Sequence, residues 1–338
     1  MQKKKPICIT MGEPSGISAE IIIKVWYMRK KLNIFPFFVF DDPERLEKMS
    51  NFLGIKVPIK IINNESESLD IFNKYLPVKP LSSKIEFQLG DPNYKNSKYV
   101  LESIASAVQS ALRNRVKGVI TSPVCKKMLI KYGFRYAGQT EYISEIVSRK
   151  KKKKFNEVMI LSTTKPVDGS SNLRVGLVTT HIPIKNVSKI VTQNLLANKT
   201  ISFEKTLRKI WKIRSPKIGI CSFNPHAGES GLVGREEMDI IIPTIEKLKK
   251  KIDLSGPLSP DSCFSKFART KFDGYMCIYH DQALIPVKTL DFLHSVNVTG
   301  GLPIIRLSPD HGPAFDIAKL KKANPGSMIA SINLLKNI

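Results

Sequence analysis

Short apolar runs that end in turns alternate with amphipathic helical stretches along this chain, and this alternation limits its fold more than any other feature. KPICIT precedes a glycine loop and a helix near Ser18 to Lys31. FPFFVF precedes DDPERLEKMSNFLG, a helix with an acidic first turn and a glycine stop. KVPIKII reads as a third strand, and an irregular stretch with several prolines covers roughly 63–96. SKYVLESIASAVQSALRN is a helix leading into the strand KGVITS, and EVMILS is a further strand. RVGLVTT with a helix from Asn186 to Trp211, KIGICS with a helix from Arg235 to Lys251, GYMCIY, and GLPIIRLS with SMIASINLLKN continue the pattern. Short runs rich in Val, Ile and Leu suit strands buried on both faces. Their alternation with helices predicts a doubly wound, mostly parallel α/β sheet. The 338 residues suffice for one large domain or two smaller ones, and no low-complexity tether is present, so two domains would be interleaved.

Composition excludes several classes. Hydrophobic residues make up 42% of the chain, which is a globular rather than a disordered composition. No apolar stretch approaches the roughly 18 residues of a membrane span, and MQKKKPICITMGEPSG lacks a signal-peptide core. The expectation is a cytoplasmic protein. The five cysteines form no C-x-x-C pair and read as small buried hydrophobes in a reducing compartment. The net charge of +25 admits a polyanion partner, including an RNA. However, Lys is abundant together with Ile and Asn, as an AT-rich coding sequence produces, and it is dispersed except at RKKKKK (Arg149 to Lys154). That run reads as a solvated helix end. The expectation is no nucleic-acid and no membrane partner, with a positive field that favours a phosphorylated substrate.

Three of the five histidines each end an apolar run: His181 in LRVGLVTTHIP, His226 in KIGICSFNPHAGE and His280 in GYMCIYHDQ. Ligands of open α/β sheets gather beyond the carboxyl ends of the strands. Three imidazoles converging there would leave a divalent ion an open position, as in catalytic metal sites. GEPSG (Gly12 to Gly16) offers a tight turn and a helix N-terminus, but it is no dinucleotide fingerprint. TSPVCKK and AGQTEYIS offer hydroxyls, an amide and backbone N–H groups. NPHAGESGLVGREE is a long strand-to-helix loop of the kind kept for binding. SPDHGPAFDIAKLKKANPGSMIAS places His311, Gly312, Asp316 and Asn324 before the last helix.

Taken together, ITMGEPSG, AGQTE, TTHIP, NPHAGE, GPLSPDS, YHDQ and VNVTGGLPIIRLSPDHGPAFDIA resemble the 4-hydroxythreonine-4-phosphate dehydrogenase (PdxA) family, in order and over nearly the whole chain. The resemblance implies a two-domain α/β/α fold with a mostly parallel sheet, like the isocitrate and isopropylmalate dehydrogenases. One discontinuous domain, 1–125 with 281–338, would carry the dinucleotide loop, and 126–280 would carry most metal ligands and the dimer interface. It also implies oxidation of the C3 hydroxyl of 4-phosphohydroxy-L-threonine with NAD or NADP, then loss of CO2 to give 3-amino-2-oxopropyl phosphate. The enzyme would be a homodimer in pyridoxal phosphate (vitamin B6) biosynthesis, with its active site at the subunit interface. One divalent ion (zinc, magnesium or cobalt) would sit on His181, His226 and His280. Carried over by motif, the substrate contacts are Gln139, Thr140, Lys288, Asn297 and Arg306. Asp261 and Lys288 are the candidate catalytic groups, and His311, Gly312, Asp316 and Asn324 hold the dinucleotide.

The chain departs from the family pattern at Gln139, where the family has histidine, and more mildly at Glu13 for Asp and Ser18 for Gly. An amide donates a hydrogen bond but carries neither charge nor proton. That keeps open a related dehydrogenase acting on another diol, such as a phosphorylated four-carbon sugar acid or a cyclic dihydrodiol.

Overall fold

The structure, a computed structural model, describes residues 4–338. Its strands are β1 (Ile7–Thr10), β2 (Phe37–Asp41), β3 (Ile59–Ile61), β4 (Leu76–Pro80), β5 (Val119–Ile120), β6 (Val158–Ser162), β7 (Arg174–Leu177), β8 (Lys217–Cys221), β9 (Asp253–Leu258), β10 (Gly274–Cys277), β11 (Val296–Gly300) and β12 (Arg306–Pro309). The chain forms two compact units, Met1–Lys154 with Pro303–Asn337, and Phe155–Leu302. Among the described residues, no helix is long and apolar enough to cross a membrane.

In the first unit the strand order is β3-β4-β2-β1-β5-β12, and every pairing among them is parallel. β1 and β2 are buried along their whole length, as continuous apolar runs require. The helix Pro43–Leu53 follows the sequence signals closely. The Asp42 side chain accepts from the Glu44 N–H at 3.0 Å, Pro43 opens the helix, and Gly54 closes it at φ 71°. The helix Gln139–Lys151 ends with Arg149, Lys150 and Lys151 in its last turn, so the basic run is a helix end.

In the second unit the order is β11-β6-β7-β10-β8-β9. β7, β10, β8 and β9 pair in parallel, whereas β6 is antiparallel to both β7 and β11. The core gathers Leu161, Val175, Leu177, Tyr275, Ala283 and Val287 around Cys221, Cys263 and Cys277. Burial pushes the Cys8 thiol up. Cys8, Cys221, Cys263 and Cys277 are all buried.

Two expectations change here. The division falls at 154/155 and 302/303 rather than at 125/126 and 280/281. The helix Gln139–Lys151 packs on the helix Ser97–Leu112 of the first unit. The helix His280–Leu290 packs on β6 and β7, and β11 pairs with β6, which keeps both in the second. As a result Gln139 and Thr140 share a unit with Arg306, while Lys288 and Asn297 share one with the three histidines. The segment 63–96, expected to be irregular, holds the helix Glu67–Ile71 and β4.

Candidate active site

In the first unit β5 and β12 run side by side, with Arg306 in register with Val119. This brings the buried Arg306 guanidinium to Thr121, whose hydroxyl accepts from Nε at 3.0 Å and from Nη2 at 2.6 Å. Nη1 reaches the Thr140 hydroxyl at 3.3 Å. Burial pulls the Arg306 pKa down to about 10, against the pull of Glu141. Thr140 and Gln139 form the first turn of their helix, whose N-terminal N–H groups favour an anion. Gln139 Nε2 donates to the Ser122 carbonyl at 3.3 Å, while its Oε1 is buried without a hydrogen-bond partner. Only the amino end of an amide can face a carbonyl, so this orientation is fixed by Ser122. Arg306 and Thr140 are thus brought together, with Gln139 next to Thr140 on the same helix turn.

The GEPSG loop docks on the loop after β12. Ile17 N–H donates to the Pro313 carbonyl at 3.0 Å, and a Cβ on Gly16 would lie 2.6 Å from that oxygen. Glu13 is buried in this loop, and burial pushes its carboxyl up, although Ser15 N–H and Arg45 pull the other way. His311 Nδ1 lies 3.0 Å from the Gly312 carbonyl. Gly312 has nothing within 4 Å of where a Cβ would sit, and Asp316 is exposed, so this side of the loop has room for a ligand. Asn324 accepts from Gly326 N–H at 2.8 Å and here caps the last helix.

In the second unit His181 and His280 meet, with ring centroids 5.5 Å apart and planes tilted by 49°. Two imidazoles on one tetrahedral ion put their centroids about 5 Å apart, given metal–nitrogen bonds of about 2 Å. The pair therefore fits a shared divalent ion. Both line a cavity of about 240 Å³ with Thr180, Ile182, Tyr279 and Asp281. His280 opens the helix His280–Leu290, and its Nδ1 lies 2.7 Å from the Asp281 carboxylate, the usual way of orienting a metal-binding imidazole. Gln282 staples this helix start in place. It accepts from Ile278 N–H at 2.6 Å and donates to the Ser222 carbonyl at 2.8 Å. A neighbouring cavity of about 470 Å³ is lined by Asp261, Phe264, Arg269, Tyr279, Asp281 and Gln282, among others. Tyr279 and Asp281 belong to both cavities, so Asp261 stands next door to the imidazole pair. Lys288 lies further along the same helix with its ammonium 5.1 Å from the Phe292 ring centroid. Asn297 Oδ1, on β11, is buried without a hydrogen-bond partner, which leaves it an acceptor for a ligand's donor.

The expected trio is not assembled. Among the described residues no three His, Cys, Asp or Glu groups stand close enough to hold a metal ion, so His226 does not join the pair within the chain. His226 opens a run in which His226, Ala227, Glu229 and Ser230, together with Gly228, all have positive φ. For four non-glycine residues this costs roughly 4–8 kcal/mol, so other contacts must hold the run. The Glu237 carboxylate is one such contact, bonded to Phe223 and Asn224 at the start of the loop. Sequence reading passed over Glu237, Gln282 and Asp281. Asp281 and Gln282 lie in YHDQ and Glu237 closes NPHAGESGLVGREE, so the segments were marked although these three residues were not singled out.

Paired imidazoles in a strand-end cavity of an α/β unit, with carboxylates beside them, are groups of the kind that an enzyme uses. The model of the family described as pyridoxal phosphate biosynthetic protein PdxA matches residues 33–335. A 4-hydroxythreonine-4-phosphate dehydrogenase of Methylorubrum populi is 36% identical over 337 residues, covering 99% of this chain and 94% of that protein. One from Zymomonas mobilis is 36% identical over 334 residues, covering 98% and 95%. The crystal structure of 4-hydroxythreonine-4-phosphate dehydrogenase from Klebsiella pneumoniae superposes with a TM-score of 0.83 at 30% identity, covering 99% of each chain. The chain belongs to the PdxA family.

Proposed function

We propose that this chain catalyses the reaction for which these relatives are named. It oxidises 4-phosphohydroxy-L-threonine at C3 with NAD or NADP, and the product loses CO2 to give 3-amino-2-oxopropyl phosphate for pyridoxal phosphate synthesis. In this reading it works as a cytoplasmic homodimer with one divalent ion (zinc, magnesium or cobalt) per site. The observation that carries the reading is the His181–His280 pair at 5.5 Å in a strand-end cavity.

Oxidation removes a hydride from C3 and a proton from its hydroxyl. When bound, a divalent ion supplies Lewis-acid polarisation of the oxygen and a nicotinamide coenzyme supplies the hydride acceptor. His181 and His280 would hold the ion, and His226, exposed on its own loop, is available to complete the site of a second copy. His311, Gly312, Asp316 and Asn324 would hold the coenzyme. The chain's own residues do the rest. The Asp261 carboxylate, exposed in the neighbouring cavity, takes the hydroxyl proton. Arg306 and Thr140 bind the phosphate or carboxylate, and Gln139 holds the Ser122 carbonyl beside them. Asn297 Oδ1 accepts from the substrate's ammonium or hydroxyl. After the carboxylate leaves as CO2, the electron pair left on carbon is protonated, and Lys288 is the candidate donor.

The test is turnover of 4-phosphohydroxy-L-threonine with NAD or NADP, with each metal added and with chelator. Metal-dependent formation of reduced coenzyme together with CO2 is expected. No turnover under any of these conditions would remove the reading. Turnover of a phosphorylated four-carbon sugar acid or a cyclic dihydrodiol instead, reversed by Gln139→His, would establish the second reading that the buried Gln139 amide motivates.

A further inference from the structure

We propose that Glu237 is the positioning residue for His226. Its carboxylate fixes the loop after β8 so that the imidazole is presented in one orientation to a divalent ion. The proposal rests on the metal-binding reading above for the identity of the ligand.

The chain passes through His226–Ser230 with φ values of 51°, 54°, 76°, 41° and 59°. Only Gly228 adopts such angles freely. Held strain of this kind belongs to sites where a side chain must be aimed, and what this run aims is an exposed imidazole. Glu237 is 1% exposed. Its Oε1 accepts from Phe223 N–H and Asn224 N–H, each at 2.7 Å, and its Oε2 accepts from Asn224 Nδ2 at 2.8 Å. Asn224 Nδ2 also donates to Glu236 at 2.8 Å. Two glycines make room for this clamp. A Cβ on Gly228 would lie 2.6 Å from Glu237 Oε2, and one on Gly234 would lie 2.4 Å from Asn224 Nδ2. The clamp closes the two ends of the loop on each other, and the strained run lies within the stretch between them.

The experiment compares the full-length wild type with Glu237→Gln, Ala227→Gly, the double variant and His226→Ala. The readouts are hydrogen exchange over residues 223–235 and calorimetric titration with zinc chloride. In Glu237→Gln the amide oxygen can keep the Phe223 and Asn224 N–H donors, but the amino group is then set against the Asn224 Nδ2 donor. Exchange in the loop should rise at least tenfold and the zinc dissociation constant should rise at least tenfold, matching the loss in His226→Ala. Glycine at 227 accepts its φ of 54° without a Cβ clash. Ala227→Gly alone should therefore slow exchange, and in the double variant it should restore most of the protection and affinity. Unchanged exchange in Glu237→Gln, or faster exchange in Ala227→Gly, would overturn the clamp. Raised exchange with the wild-type zinc affinity would overturn the positioning role. If the wild type itself takes up no zinc, the metal reading fails, and the exchange measurements still decide whether Glu237 holds the loop.

Discussion

A guanidinium whose pKa burial lowers to about 10 is a charge kept where water cannot reach it. The displacement corresponds to roughly 3 kcal/mol against the charged form, a cost that an arriving phosphate or carboxylate would offset. The sign follows from linkage: the folded state releases the Arg306 proton more readily than the unfolded chain. The cost is therefore fully present below about pH 10 and is relieved as pH rises above it. Arg306→Met should raise KM for the phosphorylated substrate on the order of 100-fold, the loss of charged hydrogen bonds of about 1.5–3 kcal/mol each, with a smaller change in kcat. In denaturant unfolding, the wild type should gain stability relative to the variant as pH passes 10. A KM within a few-fold of wild type would remove Arg306 from substrate binding. Residues such as this one were legible because whole strings, PIIR and AGQTE, fixed their neighbours. His226 was legible as a residue but not in its placement. A left-handed run through non-glycine residues contradicts their local preference, and nothing in NPHAGESGLVGREE marks its last residue, Glu237, as the carboxylate that stabilises it.

Elements were read well where the period of apolar residues and the capping residues agreed. Pro43–Leu53, between Asp42 and Gly54, is the clearest case. They were missed where local chemistry opposed the outcome. β4 carries Pro77 and Pro80, which argue against a strand, yet it pairs with β2 and β3. The antiparallel pairing of β11 with β6 joins segments well over a hundred residues apart, and no local pattern announces it. The same holds for what ties the helix Pro43–Leu53 to the GEPSG loop. Arg45 donates twice to Asp41, at 2.9 and 2.6 Å, and once to the Pro14 carbonyl at 3.3 Å, with both side chains of the pair wholly buried. Burial raises the Asp41 carboxyl, and Arg45 opposes that rise. Arg45→Ala would strand a buried carboxylate and release the loop, so unfolding free energy should fall by about 3–5 kcal/mol. A urea denaturation series measures this. A loss under about 1 kcal/mol would mean that the pair merely balances its own desolvation.

At the scale of the whole molecule two forces oppose each other. Each chain carries a formal charge of +25, so two copies repel over the Debye length of about 10 Å at 0.1 M salt. A homodimer must then be held by apolar burial, for which a stable interface needs roughly 1,200–2,000 Å². The second unit offers candidates. Val167, Ile285, Phe292 and Leu293 are exposed large hydrophobics, and the Val167 N–H to Leu290 carbonyl bond of 2.8 Å places the first beside the end of the helix that carries the second. Val167 is 80% and Phe292 70% exposed in the single chain, more than isolated surface residues need. Screening weakens the repulsion and leaves apolar burial intact, so the dimer should tighten as salt rises, the reverse of an interface built on ion pairs. Sedimentation equilibrium at low and high ionic strength measures this, with Ile285→Asp as the variant. The wild type should shift toward dimer with salt, and Ile285→Asp should remain monomeric at both. A dimer that loosens with salt would move the interface to charged groups, and a monomer at every salt concentration would remove the homodimer from the proposed function.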